Sequence, residues 1–165
     1  MLINRRFDLS LLLAVLILLS YTVSKKSKSL MKTMRNANNK YYHLSFRHSG
    51  KCLDINGGHK ENGAPAIQWD CHGGDNQKFR MVWNDDDTVT LYAKHSGKVL
   101  DVTGHANVNG AKIIQWDYHG GNNQKWSLQH TDSGHFLVRA KNSGKCLDVP
   151  NGNKNSGNHI QQWDW

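Results

Sequence analysis

The tripeptide Ser-Gly-Lys occurs at Ser49-Gly50-Lys51, Ser96-Gly97-Lys98 and Ser143-Gly144-Lys145, 47 residues apart both times. Other columns keep the same frame: Leu53-Asp54, Leu100-Asp101 and Leu147-Asp148, then Gln68-Trp69-Asp70, Gln115-Trp116-Asp117 and Gln162-Trp163-Asp164. A fixed period in this range marks a supersecondary unit that cannot bury its apolar face alone and packs on its own copies. The repeats run over 41–87, 88–134 and 135–165, the third stopping short of a full copy.

Stacked on this period, the copies open with strand-like runs at Tyr42–Phe46, Val89–Ala93 and Phe136–Ala140, each entering its Ser-Gly-Lys turn two residues later. A short apolar segment follows (Leu53-Asp54-Ile55 and its equivalents), then a loop rich in Gly and Asn, then the Gln-Trp column. No stretch past residue 40 has helical periodicity. Short strands between regular turn signals predict an all-β barrel or sandwich. Three copies of about four strands each select a closed threefold arrangement around one shared core.

The formal charge of +8 is unevenly placed. Residues 25–40 hold six basic and no acidic side chains, whereas the chain from Tyr41 on has 13 basic against 12 acidic residues. The repeat region is therefore near neutral, and nucleic acid is not an expected partner. Residues 25–40 read as a basic flexible linker, with weak association to an anionic membrane surface as the sharper alternative. Before it, Arg5 and Arg6 precede an apolar run from Leu9 to Leu19 and a small-residue site at Thr22-Val23-Ser24. Residues 1–24 are thus expected to be a secretory signal peptide and the protein to be secreted. The alternative is an uncleaved anchor through residues 9–23, and the lysines after the run oppose the usual charge bias of export.

After the tryptophan column the first two copies continue as His72-Gly73-Gly74-Asp75-Asn76-Gln77-Lys78-Phe79 and His119-Gly120-Gly121-Asn122-Asn123-Gln124-Lys125-Trp126. With Cys52-Leu53-Asp54 and Trp69-Asp70-Cys71, the Gln124-x-Trp126 motif makes residues 41–165 resemble the ricin-type lectins, β-trefoils of three repeats that each end in a Gln-x-Trp strand. The resemblance implies a β-trefoil whose third repeat lacks its last strand. It also implies carbohydrate binding without catalysis, the ligands being galactose-like or xylose-like units of glycans. Phe79 departs mildly from the motif but keeps a large aromatic at a core-packing position.

A sugar offers an apolar face of C–H groups and a rim of hydroxyls. An aromatic ring can stack on the face while a carboxylate and amides pair with the rim. Carried over residue by residue, the first site falls on Asp54, Trp69, Asn76 and Gln77, and the second on Asp101, Trp116, Asn123 and Gln124. The third has Asp148, Gln161 and Trp163 but no amide pair. The glutamine of Gln-x-Trp repeats is largely a scaffold residue, so Gln77 and Gln124 are read as structural ahead of ligand-contacting. The tryptophans can be core rather than platform, although Phe79 and Trp126 already supply a core column. Asp54 and Asp101 either cap turns or meet ligand, since a bare carboxylate in an apolar triplet is costly. His72 and His119 lie beside the amides and could touch the sugar. No histidine pair has a persuasive ligand spacing, so neither metal nor cofactor is expected. Asp85-Asp86-Asp87 reads as a solvated loop, not a catalytic pair. Two other functions suit the same pattern: a trefoil used as a protein-binding or inhibitor scaffold, and the carbohydrate-binding module of a truncated glycoside hydrolase.

Cys52 and Cys71 bracket the first site loop, and the second repeat loses both together, at Val99 and Tyr118. That joint loss fits a Cys52–Cys71 disulfide, which the resemblance also implies. Such a loop contributes about 3 kcal/mol in the chain-entropy account and fits an oxidising compartment. Cys146 finds Trp165 at its partner column, so it is free or pairs between chains. The missing strand predicts open barrel edges, hence a truncated product or a domain completed in trans, with oligomers through the open repeat or Cys146.

Overall fold

The computed structural model describes Lys25, Ser29 and residues 40–131 and 134–165. The expected leader or anchor and nearly all of the basic segment lie outside the described residues. The chain divides into two units, Met1–Asn36 and Ala37–Trp165, and the described strands belong to the second. The first repeat supplies β1 (Tyr41–Tyr42), β2 (Cys52–Ile55), β3 (Ala66–Trp69) and β4 (Phe79–Trp83). The second supplies β5 (Val89–Ala93), β6 (Val99–Val102), β7 (Ile113–Trp116) and β8 (Trp126–His130). The third supplies β9 (Phe136–Ala140), β10 (Cys146–Asp148) and β11 (Gln161–Trp163).

Two layers result. In one, β2–β3, β6–β7 and β10–β11 form antiparallel hairpins in one common register, Leu53 facing Gln68, Leu100 facing Gln115 and Leu147 facing Gln162. In the other, β1, β4, β5, β8 and β9 run side by side as a barrel wall. The core between them holds Phe79, Trp126, Leu53, Leu100, Leu91, Ile113 and Ile160, all at 1% exposure or less.

The repeated columns are wired to each other. Gly50, Gly97 and Gly144 adopt φ of 70°, 72° and 72°, a left-handed turn that glycine takes without steric cost. The serine before each glycine donates to a glutamine of its own repeat: Ser49 to Gln68 Oε1 at 3.0 Å, Ser96 to Gln115 Oε1 at 2.7 Å, Ser143 to Gln162 Oε1 at 2.7 Å. The lysine after it pairs with the aspartate two residues past that glutamine, in Lys51–Asp70, Lys98–Asp117 and Lys145–Asp164. Ser-Gly-Lys and Gln-Trp-Asp are thus the two halves of one lock across a hairpin.

The glutamines also join the repeats. Gln68 Nε2 donates to the carbonyls of Asn153 and Asn155 in the third repeat, at 2.7 and 2.8 Å. Gln115 donates to His59 and Glu61 of the first, and Gln162 to Ala106 and Val108 of the second. All three side chains are 0% exposed, so every bond is made in a dry site where an unmade one would cost about 1–3 kcal/mol. Backbone pairs close the same ring, Gly157 N–H to Gln68 O, Gly63 N–H to Gln115 O and Gly110 N–H to Gln162 O.

The hairpin layer is therefore closed threefold, as the repeat predicts, but the barrel wall is not. Among the described residues β1 pairs only with β4, and no strand bridges β1 and β9. The expected strand Tyr42–Phe46 is corrected to the two-residue β1 plus an isolated Ser45–Cys52 bridge. The reason is the ladder: β4 gives β5 five paired residues and β8 gives β9 five, whereas among the described residues Tyr42–Phe46 has no such neighbour and pairs with β4 only at Tyr42. The expected disulfide is present between Cys52 and Cys71, Cα atoms 5.2 Å apart. Cys146 is free and 5% exposed, its thiol pushed above the usual range by burial, a poor placement for a bond to a second chain. Asp86 is more than a solvated loop residue, since it accepts from Thr88 and ties to Lys141 of the third repeat.

Candidate carbohydrate site

Each Gln-Trp strand ends at the protein surface, where the indole turns outward: Trp69 is 42% exposed, Trp116 41% and Trp163 45%. Strand alternation is the cause, because the neighbouring glutamine takes the buried face. Beside Trp69 lies a cleft of about 400 Å³ lined by Asp54, Asn56, Gly57, Gly58, Ile67, Trp69, His72 and Asn76. A second cleft of about 420 Å³ is lined by Asp101, Thr103, Gly104, His105, Ile114, Trp116, His119 and Asn123. Every residue of the second stands 47 positions after its counterpart in the first. The tryptophans, aspartates and first amides expected from the sequence are thus brought together, twice.

The carboxylates sit at the floors, Asp54 2% and Asp101 4% exposed. Asp54 Oδ1 accepts from Asn76 Nδ2 at 2.9 Å, and Oδ2 from Gln77 Nε2 at 2.8 Å. Gln77 is itself 0% exposed, donating also to Asp70 O and accepting from His72 N–H. Gln124 repeats this with Asp101, Asp117 O and His119 N–H. Both glutamines lie buried beneath the clefts and hold the carboxylates in place. Asn123 Oδ1 is buried with no hydrogen-bond partner among the described residues, an acceptor left at the edge of the second cleft.

The histidines do more than border the amides. His72 Nδ1 accepts the Gly74 N–H at 3.1 Å, which leaves the neutral ring's proton on Nε2, 3.3 Å from Asp54 Oδ2. His119 makes the same pair with Gly121 and Asp101, at 3.2 and 3.4 Å. A Cβ at Gly74 or Gly121 would come to 2.7 Å from the imidazole Cε1, so a larger residue there would displace the ring. Sequence reasoning left two wall elements unassigned. Asn56–Gly58 and Thr103–His105 are short 3-10 turns, and His105 takes φ 54° where the first repeat has Gly58. Its ring lies 5.3 Å from that of His119, so the second cleft has an imidazole wall that the first lacks. The 47-residue frame held that signal as a Gly-to-His change, Gly58 against His105, within loops that also differ at Asn56/Thr103 and at 59–61 against 106–108.

The third position is different. Asp148 is half-buried and accepts from Gln161 Nε2 at 2.8 Å, an amide from the column where the other repeats carry Ile67 and Ile114.

Burial pushes the Asp54 and Asp101 carboxyls above the ordinary aspartate value of 3.8, against the bonds from Gln77 and Gln124 and the neighbouring His72 and His119. A carboxylate accepts from two hydroxyls only when ionised. Glycan affinity is therefore expected to fall on acidification with a midpoint above 3.8, measurable as binding against pH. For these two groups a raised folded value means that acidification through that window stabilises the fold. Asp70, Asp117 and Asp164, held below 3.8 chiefly by Lys51, Lys98 and Lys145, give up their stabilising share only below that value. Binding is thus lost before folding is.

Residues 30–116 and 107–163 match the ricin-type beta-trefoil lectin domain-like family. No curated protein matches the chain. Among solved structures, a designed 3-fold symmetric protein, ThreeFoil, is 42% identical, with TM-score 0.75 over 76% of this chain and 89% of its own. The exo-beta-1,3-galactanase 1,3Gal43A from Clostridium thermocellum is 29% identical, with TM-score 0.76 over 78% of this chain, which spans 28% of the enzyme. The C-half of the earthworm R-type lectin, solved with GalNAc, shares the fold at 19% identity, TM-score 0.60, over 76% of this chain and 89% of that one. The chain belongs to the ricin-type β-trefoil lectin domain-like family.

Proposed function

We propose that this protein is a secreted, non-catalytic carbohydrate-binding protein with two working sites, built on Asp54, Trp69 and Asn76 and on Asp101, Trp116 and Asn123. The observation that carries this reading is the duplicated cleft, in which an exposed indole faces a buried carboxylate already oriented by an amide and an imidazole. The indole supplies a stacking face, and the fixed acceptors select hydroxyl geometry, since a misplaced hydroxyl leaves a buried polar group unpaired. Galactose-like or xylose-like units are the ligands the family resemblance favours, and the GalNAc bound by the earthworm lectin supports the former. Secretion is supported by the Cys52–Cys71 disulfide and the apolar leader. Two weak sites on one rigid body gain strength on a branched glycan through effective concentration.

A glycan array tests this. Wild-type protein is expected to bind a restricted set of terminal sugars, displaceable by the free sugar. Binding to protein ligands alone, undisturbed by sugar, would assign the fold to a scaffold role instead. A second reading, as the sugar-binding module of a glycoside hydrolase, draws on the likeness to the galactanase. It requires the native secreted species to be far larger than 18.7 kDa and to hydrolyse the glycan it binds.

The two sites should differ through His105. His105→Gly, tested in a Trp69→Ala background, is expected to shift the second site's array profile toward that of the first. Because the position has φ 54°, the substitution should not destabilise and should gain a few tenths of a kcal/mol at most.

A further inference from the structure

Each exposed tryptophan is held in part by a different repeat. The loop that walls the first cleft at Asn56–Gly58 runs on through residues 59–63 and reaches the second platform. Gly63 N–H donates to Gln115 O at 2.9 Å, and a Cβ built at Gly63 would stand 3.8 Å from Trp116 Cζ3. Asn62 then grips the residue after the tryptophan twice. Its Nδ2 donates to Asp117 Oδ2 at 2.7 Å, and its Oδ1 accepts the Asp117 backbone N–H at 2.9 Å. Asn109 holds Asp164, the residue after Trp163, with the same two bonds at 2.9 and 3.1 Å.

The first platform is held differently. The column of Asn62 and Asn109 carries Ser156 in the third repeat, which among the described residues gives Asp70 one hydrogen bond, from Oγ to Oδ2 at 3.0 Å. That weaker grip coincides with a covalent tie. The residue after Asp70 is Cys71, bonded to Cys52, which is paired with Trp69 across the hairpin. The second repeat has Val99 and Tyr118 at those columns, and Cys146 of the third is free. The two unbridged repeats are thus gripped by asparagine and the bridged one by serine. A strand end frays unless its last residues are tied down, and an indole on a frayed end leaves the carboxylate it must face. Two fixed amide bonds and a disulfide are alternative ways of preventing this. Either one orders the platform before a ligand arrives, which spares binding that entropy cost.

We propose that Asn62 is a positioning residue of the second sugar site: it fixes the Trp116 platform from the neighbouring repeat, as the Cys52–Cys71 bridge fixes Trp69 from within its own. The consequence for sugar affinity rests on the carbohydrate-binding reading, whereas the ordering of Trp116 does not.

The test is Asn62→Ala in the full, isotope-labelled chain, first without sugar. The order parameter of the Trp116 indole N–H should fall by about 0.2, and amide exchange at Asp117 should quicken about tenfold, while Trp69 keeps its wild-type values. Asn62 is exposed, so the thermal midpoint should move by no more than about 2 °C. Asn62→Ser, which copies the third repeat, should recover part of the order. In the Cys52→Ala, Cys71→Ala double variant the pattern should reverse, with Trp69 loosened and Trp116 unchanged, and Ser156→Asn added to it should restore Trp69. If the double variant does not fold, the Asn62 variants decide alone. Titrated with galactose and separately with xylose, the Asn62→Ala protein should lose about threefold in affinity at resonances around Trp116 and keep wild-type affinity around Trp69. Unchanged Trp116 order and Asp117 exchange overturn the proposal, and so does equal loosening of both tryptophans, the mark of a purely structural role. If neither sugar shifts the wild-type resonances, the carbohydrate reading fails for those sugars, and the sugar-free measurements still decide the role of Asn62.

Discussion

Alanine at both Trp69 and Trp116 leaves a folded protein that no longer binds glycans. The two indoles are about two-fifths exposed, and their truncation removes little packing, so the thermal midpoint should move by only a few degrees. What is lost is the stacking face. Burying one indole face against sugar C–H groups is worth about 2–3 kcal/mol, or roughly 100-fold in affinity per site. Each single variant should keep the other site and lose the gain from linkage, so avidity on a multivalent surface falls more steeply than affinity for a monovalent sugar. Surface plasmon resonance on immobilised glycan, paired with monovalent titration, separates the two effects.

Trp126→Ala should do the reverse, unfolding the protein without touching either cleft. Trp126 is 0% exposed and its indole N–H reaches Leu100 O at 3.4 Å. Removing a buried tryptophan costs about 3–5 kcal/mol, a large share of a domain's total stability, so the midpoint should drop by roughly 15 °C. Trp126→Phe is the informative partner. Phe79 fills the equivalent position in the first repeat, also at 0% exposure, so a phenyl ring suits the site's geometry and the loss should shrink to about 1–2 kcal/mol. Thermal denaturation followed by circular dichroism reads both.

The two predictions separate because the fold separates their residues, and the 47-residue frame carried much of that separation. Phe79 and Trp126 filled a core column, which pointed Trp69 and Trp116 to the surface, and the structure buries the first pair and exposes the second. The Cys52–Cys71 bridge followed from a joint loss in the next copy. What the columns could not carry were contacts between copies. Gln68, Gln115 and Gln162 were visible as invariant within the chain, but their donors run to carbonyls 54 to 87 residues away, and backbone acceptors leave no mark in side-chain identity. For Gln77 and Gln124 the columns left scaffold and ligand roles both open, because an amide beneath a carboxylate and one beside a ligand have the same composition; the structure buries both. Tyr42–Phe46 matched the strand pattern of its copies but among the described residues pairs only at Tyr42 and Ser45, because strand length is set by the neighbour as much as by the segment.

Two of the three buried glutamines tie the third repeat to the other two, Gln68 by donating to the Asn153 carbonyl and Gln162 by donating to the Ala106 carbonyl.

The central claim is that two equivalent clefts each bind a sugar through an aspartate-anchored polar floor and a tryptophan face. Titration of the isotope-labelled protein with a glycan chosen from the array, followed amide by amide, tests it most directly. Two groups of resonances should shift, around Asp54–Gly58 with Trp69–Asn76 and around Asp101–His105 with Trp116–Asn123. Asp54→Asn should silence the first group and leave the second. Shifts confined to other surfaces, or both groups responding unchanged in the Asp54→Asn protein, would contradict the account.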